Sequence, residues 1–158
     1  MTEQTFQYKN YVHQDWVDYN GHMNDAAYAK VFSLAVDAFI DAIGLDADAR
    51  NEKHYTIFTL ETHLCYLQEA HQDEALYVTV QLLDIDAKRL HVIFTMQNDN
   101  DDVIATSEQM LMGMDTNEGK PAPFPTTVAS IIEEMWTKHK QLEAPKQAGR
   151  TIGIKRKN

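Results

Sequence analysis

A chain of 158 residues with 44% hydrophobic and 24% charged residues has the length and composition of one folded domain, residues 1–158, and not of a disordered chain. Its net charge of −10 argues against nucleic acid as a partner and requires any anionic ligand to find local basic groups. No apolar run approaches the roughly 20 residues that a membrane helix needs, no signal peptide is expected, and the single cysteine, Cys65, cannot form an internal disulfide, so a cytoplasmic protein without a membrane partner is expected.

Phe6, Tyr8, Tyr11 and Val12 stand among polar residues in a short segment that reads as a first strand. A glycine turn at Gly21 follows. A helix is expected over about 24–43, where Tyr28, Val31, Phe32, Ala35, Phe39, Ala42 and Ile43 recur at three- and four-residue spacing and form one broad apolar stripe. Gly44 is placed to end it. The charged stretch 46–53 reads as a short solvated helix or a loop. From Tyr55 the period becomes two. Segments 55–67, 75–86, 88–98 and 103–114 are rich in Thr, Val, Ile, Leu and Tyr and are separated by polar turns, which predicts consecutive antiparallel hairpins. Pro121, Pro123 and Pro125 stop the sheet, a last helix is expected over about 126–140, and an extended tail runs from 144 to 158.

A long helix with so wide an apolar face needs cover, and a sheet with one apolar face needs something to bury it on. The simple solution is an α+β fold in which a five- to six-stranded antiparallel sheet curls around one central helix, with a core over about 5–115 and a C-terminal helix beyond it. Edge strands in so small a sheet are exposed, and dimerisation is the natural remedy.

The segment Trp16-Val17-Asp18-Tyr19-Asn20-Gly21-His22-Met23-Asn24 carries the chemistry. Asp18 lies three residues before a glycine turn that opens the long helix. A carboxylate beside free N–H groups and the positive end of a helix dipole suits attack on a carbonyl, because an oxyanion can be held there. Asp18 could attack as a nucleophile or act as a base on water. The bland alternative is an aspartate that only makes the turn. Gly21 permits the turn and close backbone approach, and Asn24 is a helix N-cap by type.

This order of elements, with the D-x-x-G-H-x-N spacing of Asp18, Gly21, His22 and Asn24, resembles the hotdog-fold acyl-CoA thioesterases of the 4-hydroxybenzoyl-CoA thioesterase type over residues 5–115. Glu61-Thr62-His63 with Tyr66-Leu67, Lys88-Arg89-Leu90-His91, Ala105-Thr106-Ser107-Glu108-Gln109-Met110-Leu111, Pro123-Phe124-Pro125 and Gly149-Arg150 are similar to betainyl-CoA thioesterases, a subgroup that also occurs fused to carnitine dehydrogenases. The resemblance implies hydrolysis of an acyl-CoA, for the subgroup betainyl-CoA in carnitine breakdown, by a homodimer or dimer of dimers. It implies no metal and no cofactor beyond the coenzyme A of the substrate. It puts Asp18 at the catalytic carboxylate and leaves Asp25, at the first-turn position, without a settled role.

The remaining candidates are weaker. His22 sits at the helix N-terminus with Gly21, Asn24 and Asp25, although a histidine beside a turn is commonly structural. Glu61 and His63 share one face of a strand; Glu61 is the candidate second carboxylate, His63 a substrate contact, and Glu108 a comparable carboxylate on another strand. If either glutamate faced the helix, it would be costly to bury unpaired. Trp16 and Tyr19 could line a pocket for a trimethylammonium group by cation–π attraction, or simply pack. Lys88 and Arg89 are the best local basic pair for CoA phosphates, with Arg150 and the Lys155-Arg156-Lys157 cluster as further basic groups. No H-x-x-x-H, H-x-H or paired-cysteine spacing points to a metal. Rival readings are a hotdog hydratase or dehydratase, disfavoured because D-x-N-x-H here lacks the proline and one residue of D-x-N-P-x-H, and a non-catalytic acyl-CoA sensor.

Overall fold

The computed structural model describes residues 6–157. Strand β1 (Gln7–Tyr11) leads through a single 3-10 turn (Gln14–Trp16) into helix α1 (Asp25–Ala42). A short helix, α2 (Ala47–Lys53), precedes the strands β2 (Tyr55–Tyr66), β3 (Ala75–Ile85), β4 (Arg89–Gln97) and β5 (Val103–Asp115), the two-residue β6 (Lys120–Pro121) and helix α3 (Thr126–His139). The periodicity located each long element to within two residues. The charged stretch after Gly44 resolves as a helix, capped by Asp46, whose side chain accepts from Ala49 N–H. The 3-10 turn and β6 carry too few residues for a periodic signal in the sequence.

Helix α1 begins and ends on sequence-encoded caps. Asn24 has extended backbone angles and its side chain accepts from Ala27 N–H. At the other end Gly44, at φ +98°, turns the chain so that Gly44 N–H reaches Asp41 O and Leu45 N–H reaches Ile40 O, both at 3.1 Å. These are the paired 5→2 and 6→1 bonds of a Schellman motif, which satisfy carbonyls that the helix leaves open.

The sheet runs β1-β3-β4-β5-β2, with every pair antiparallel and β6 paired to β5. Tyr28, Val31, Phe32, Ala35, Phe39 and Ile40 of α1 are buried in one cluster with Val78, Val80 and Leu82 of β3, Leu90, Val92, Phe94 and Met96 of β4, and Leu111 of β5. Phe39 lies at the centre, edge-on to Phe94 with ring centroids 6.1 Å apart and to Phe6 at 5.6 Å. The sheet therefore wraps one helix, the expected hotdog arrangement. Among the described residues no helix is long and apolar enough to cross a membrane.

The two edges are treated differently. Strand β1 covers β3 only as far as Thr79; farther along, α3 packs on β3, and His139 Nδ1 accepts the Leu82 N–H at 2.9 Å. The opposite edge, β2, is twelve residues long with Phe58, Leu60 and Tyr66 about half exposed. A register shift between Thr59 and Glu61 makes a bulge at Leu60.

Two measurements probe this construction. Phe39 is fully buried, and Phe39→Ala should lower the unfolding free energy by about 3–5 kcal/mol in urea titrations. His139 must be neutral to accept from Leu82, and burial, with a smaller push from Lys138, lowers its pKa from the ordinary 6.5. The unfolded chain then takes up the proton more readily, so the stability His139 contributes is complete above about pH 6.5 and is lost as pH falls through the depressed folded value. Thermal melts at neutral and mildly acidic pH should show a smaller acid-induced drop in Tm for His139→Gln, which keeps an acceptor that does not titrate.

Candidate active site

The segment between β1 and α1 is a small hairpin with Asp18 at its corner. Val17 and Met23 form an isolated antiparallel bridge, Asp18 N–H donates to His22 O at 2.9 Å, and Gly21 N–H donates to Asp18 O at 3.0 Å. Gly21 stands at φ +76°, a conformation that any larger residue adopts only with strain. Asp18 Oδ1 accepts from Asn20 N–H at 2.8 Å and from His22 N–H at 3.2 Å. The aspartate thus makes the turn with one oxygen, while Oδ2 takes no hydrogen bond from the described residues and the residue is exposed. The structural and chemical readings of Asp18 divide between its two oxygens.

Asn24 welds this hairpin to the helix. Its backbone N–H and its side-chain Nδ2 both donate to Trp16 O, at 2.9 and 2.8 Å, while its Oδ1 accepts Ala27 N–H at 2.9 Å. Tyr66 OH donates to Asp25 O at 3.3 Å, and Tyr28 OH accepts Ala70 N–H at 3.1 Å, tying the β2–β3 connection to the first turn of α1. Burial raises the pKa of both tyrosines, with Asp25 adding to the effect at Tyr66, which keeps both as hydrogen-bonding phenols.

The head of the helix differs from the expectation in one respect. Asn24 occupies the Ala27 amide, and Asp25 Oδ1 occupies the Ala26 amide at 3.0 Å. Capping therefore consumes two of the donors that were expected to hold an oxyanion, and leaves the Asp25 N–H as the first one. The helix signal in the sequence shows where amides are unpaired by the backbone, not which side chains then take them.

Other candidates lie elsewhere. Trp16 is half-buried, stacked edge-on with His13 at 4.2 Å and packed on the core, while Tyr19 is 97% exposed; among the described residues no ring contact joins the two. Arg89 is held by Asp86, with Nε and an Nη both 2.6 Å from Oδ2, and this pair holds the Asp86 carboxyl below its ordinary range. Lys88 and Arg89 sit at the β3–β4 turn, ten β3 residues or about 33 Å of strand from the end beside the Asp18 hairpin. The proposed CoA contact is thus absent from the Asp18 surface of the same chain.

Glu61 and His63 share the outer face of the sheet, away from α1, and the register sets His63 opposite Glu108. Glu108 is paired with His91 Nε2 at 2.6 Å through Oε2 and accepts Gly149 N–H at 2.7 Å through Oε1. Neither glutamate faces the helix, so burial beneath it gives neither one a functional argument. Glu61, His63, His91, Glu108, Met110 and Arg150 line a cavity of about 600 Å³ on this face, closed on one side by the tail. Cys65, expected to stand without a base, has His63 Nε2 at 3.9 Å from Sγ. About 17 Å of strand separates Glu61 from Tyr66 at the helix head, so one chain does not bring Asp18 and Glu61 together. Sequence reasoning also missed His71 and Glu69, which gather around His22; their only signal is spatial.

Comparison with known proteins fits this geometry. The sequence matches the thioesterase-like superfamily over residues 12–132. It is 39% identical over 148 residues to the betainyl-CoA thioesterase of Pseudomonas aeruginosa, covering 93% of both chains. It is 43% identical over 147 residues to the L-carnitine dehydrogenase/betainyl-CoA thioesterase of Rhizobium meliloti, covering 92% of this chain but spanning 29% of that longer protein. A Staphylococcus aureus protein solved in complex with CoA superimposes with a TM-score of 0.91 at 32% identity, over 98% of each chain. With the match spanning both the Asp18 hairpin and the whole wrapped helix, the chain belongs to the thioesterase-like superfamily.

Proposed function

We propose that this chain hydrolyses an acyl-CoA thioester, with betainyl-CoA as substrate, to the free acid and coenzyme A. The observation that carries the reading is the divided carboxylate of Asp18: Oδ1 is anchored by two backbone N–H groups and Oδ2 is open to solvent at the head of α1. The acyl group is taken from the 39% identity to the betainyl-CoA thioesterase across nearly the full length of both chains. In the reaction, Asp18 Oδ2 either takes a proton from water as the water attacks the carbonyl carbon, or attacks that carbon itself to give a mixed anhydride that water then opens. In both routes the C–S bond breaks, the CoA sulfur leaves as thiolate and takes up a proton, and the acid is released. A net charge of −10 favours a cationic acyl group over a neutral one to a small degree.

Glu61 is the second carboxylate in this reading, because Glu108 has both oxygens engaged and Glu61 is exposed. With the strand length that separates it from Asp18, the two share a site only if different copies of the chain supply them. The unpaired β2 edge, with its half-exposed Phe58, Leu60 and Tyr66, supports a homodimer. A cytoplasmic setting belongs to the same reading, since Cys65 is the only cysteine.

The first test is thiol release from a panel of acyl-CoAs. Wild type should turn over betainyl-CoA fastest, and Asp18→Asn, which retains the Oδ1 acceptor and hence the turn, should lose at least about 100-fold in kcat with an unchanged melting temperature. Full activity in Asp18→Asn would remove the catalytic assignment, and binding without release from any substrate would leave a sensor. Complementation tests the shared site. Asp18→Asn and Glu61→Gln chains, each inactive, should recover up to about a quarter of wild-type activity when unfolded and refolded together, because half the dimers are mixed and each holds one intact site. No recovery would place the two carboxylates on one chain or remove Glu61 from the reaction.

A further inference from the structure

We propose that His22, Glu69 and His71 form a binding site for one divalent ion of the zinc type. Their positions follow from the backbone. Met23 N–H donates to Ala70 O at 2.8 Å and Gln72 N–H donates to Gly21 O at 3.2 Å. These two bonds flank an isolated antiparallel bridge in which His22 and His71 are directly opposite. They form a non-hydrogen-bonded pair, the arrangement that sets cross-strand side chains closest together. Their rings meet at 4.9 Å with an interplanar angle of 76°. Glu69, two residues before His71, places Oε2 3.4 Å from His22 Nδ1, and donor atoms of all three residues lie within 4.8 Å of one another.

A tetrahedral zinc with bonds of about 2.0–2.1 Å separates its ligands by about 3.4 Å. The His22–Glu69 distance already has that value, and His71 needs to close by no more than about 1.4 Å. Two imidazoles and one carboxylate suit Zn²⁺, Ni²⁺ or Cu²⁺ and not Mg²⁺ or Ca²⁺, which take oxygen sets. Glu74 supplies an outer carboxylate: its Oε2 accepts His71 N–H at 2.9 Å and lies 3.7 Å from His71 Nδ1, placed to orient that ring as such carboxylates orient metal-bound imidazoles. Tyr28 OH, holding Ala70 N–H, fixes the strand that carries Glu69 and His71. Three protein ligands leave a fourth position for water or substrate. The sequence spacing hides this set because 47–49 residues separate His22 from its partners.

His22 N–H donates to Asp18 Oδ1, and His22 O accepts Asp18 N–H, so an ion on His22 ties the Asp18 hairpin to the 69–74 connection and sets a positive charge beside the carboxylate. Slowed thioester hydrolysis is the expected consequence, and it alone rests on the function proposed above. The test is calorimetric titration of tag-free, chelator-stripped protein with ZnCl₂ near neutral pH, alongside histidine proton spectra. Wild type and Asp18→Asn should each bind about one zinc per chain saturably, millimolar MgCl₂ should not displace it, and the His22 and His71 ring signals should move. His71→Ala and Glu69→Gln should each weaken binding at least about tenfold, with His71→Ala retaining metal-free hydrolysis. Equal affinity in His71→Ala, or no saturable zinc binding in wild type, would overturn the site. Zinc that binds as expected and leaves wild-type hydrolysis unchanged would overturn the link to Asp18, whereas inactivity of the metal-free wild type would count against the thioesterase reading and not against the site.

Discussion

Everything in this fold depends on the burial of one face of α1. Eight of its residues, from Ala27 to Ile40, are buried, and α3 adds only Val128 and Ile132 to the same core, so the sheet must supply most of the cover. A sheet that curls around a helix has an inner face committed to packing and an outer face left to solvent or to other subunits. It also has two edges. Here β1 and α3 share one, while β2 is left open with aromatic and aliphatic side chains on show. The helix axis decides where chemistry can be placed: its head emerges beside β1 and the 67–74 connection, and the hairpin that carries Asp18 caps that opening.

Asn24 converts the packing decision into a fixed geometry. Three hydrogen bonds from one residue join Trp16 O, the hairpin and the helix. Because α1 is immobilised by its buried face, the Asn24 cap is immobilised too, and with it the orientation of Asp18. The aspartate adds its own restraint through Oδ1. In the proposed reaction a carboxylate that also shapes a turn has to divide its lone pairs, and the two backbone N–H groups on Oδ1 set which oxygen is free.

The sequence revealed the elements that have a period and concealed the relations that do not. The apolar stripe of α1 and the alternation of β2–β5 are local patterns, and each marks its element to within two residues. Alternation also shows that Glu61 and His63 share a face, but not which face. Both faces of β2 carry polar groups near the bulge, so the inward side is settled only by the register with β5, where His63 meets Glu108. Lys88 and Arg89 look like free positive charges until the tight turn folds Asp86 onto Arg89. The same limit explains the histidines: His22 and His71 become neighbours only because β1, α1 and the 67–74 connection converge at one end of the helix.

As a place for the oxyanion of the proposed reaction, the helix head is weaker than its dipole alone implies. The dipole places roughly half a positive charge there, but the Asp25 carboxylate stands on the Ala26 amide with a negative charge of its own. A thioester oxygen arriving at this point finds one unclaimed donor, Asp25 N–H, and competes with Asp25 Oδ1 for the next. Two donors become available only if that side chain rotates away, and a carboxylate on an exposed first turn can do so at little cost, because water replaces the bond it gives up. The capping that stabilises α1 in the free protein and the polarisation that a carbonyl needs therefore draw on the same amide. In the proposed reaction Asp25 sets the balance between them, a role distinct from that of Asp18.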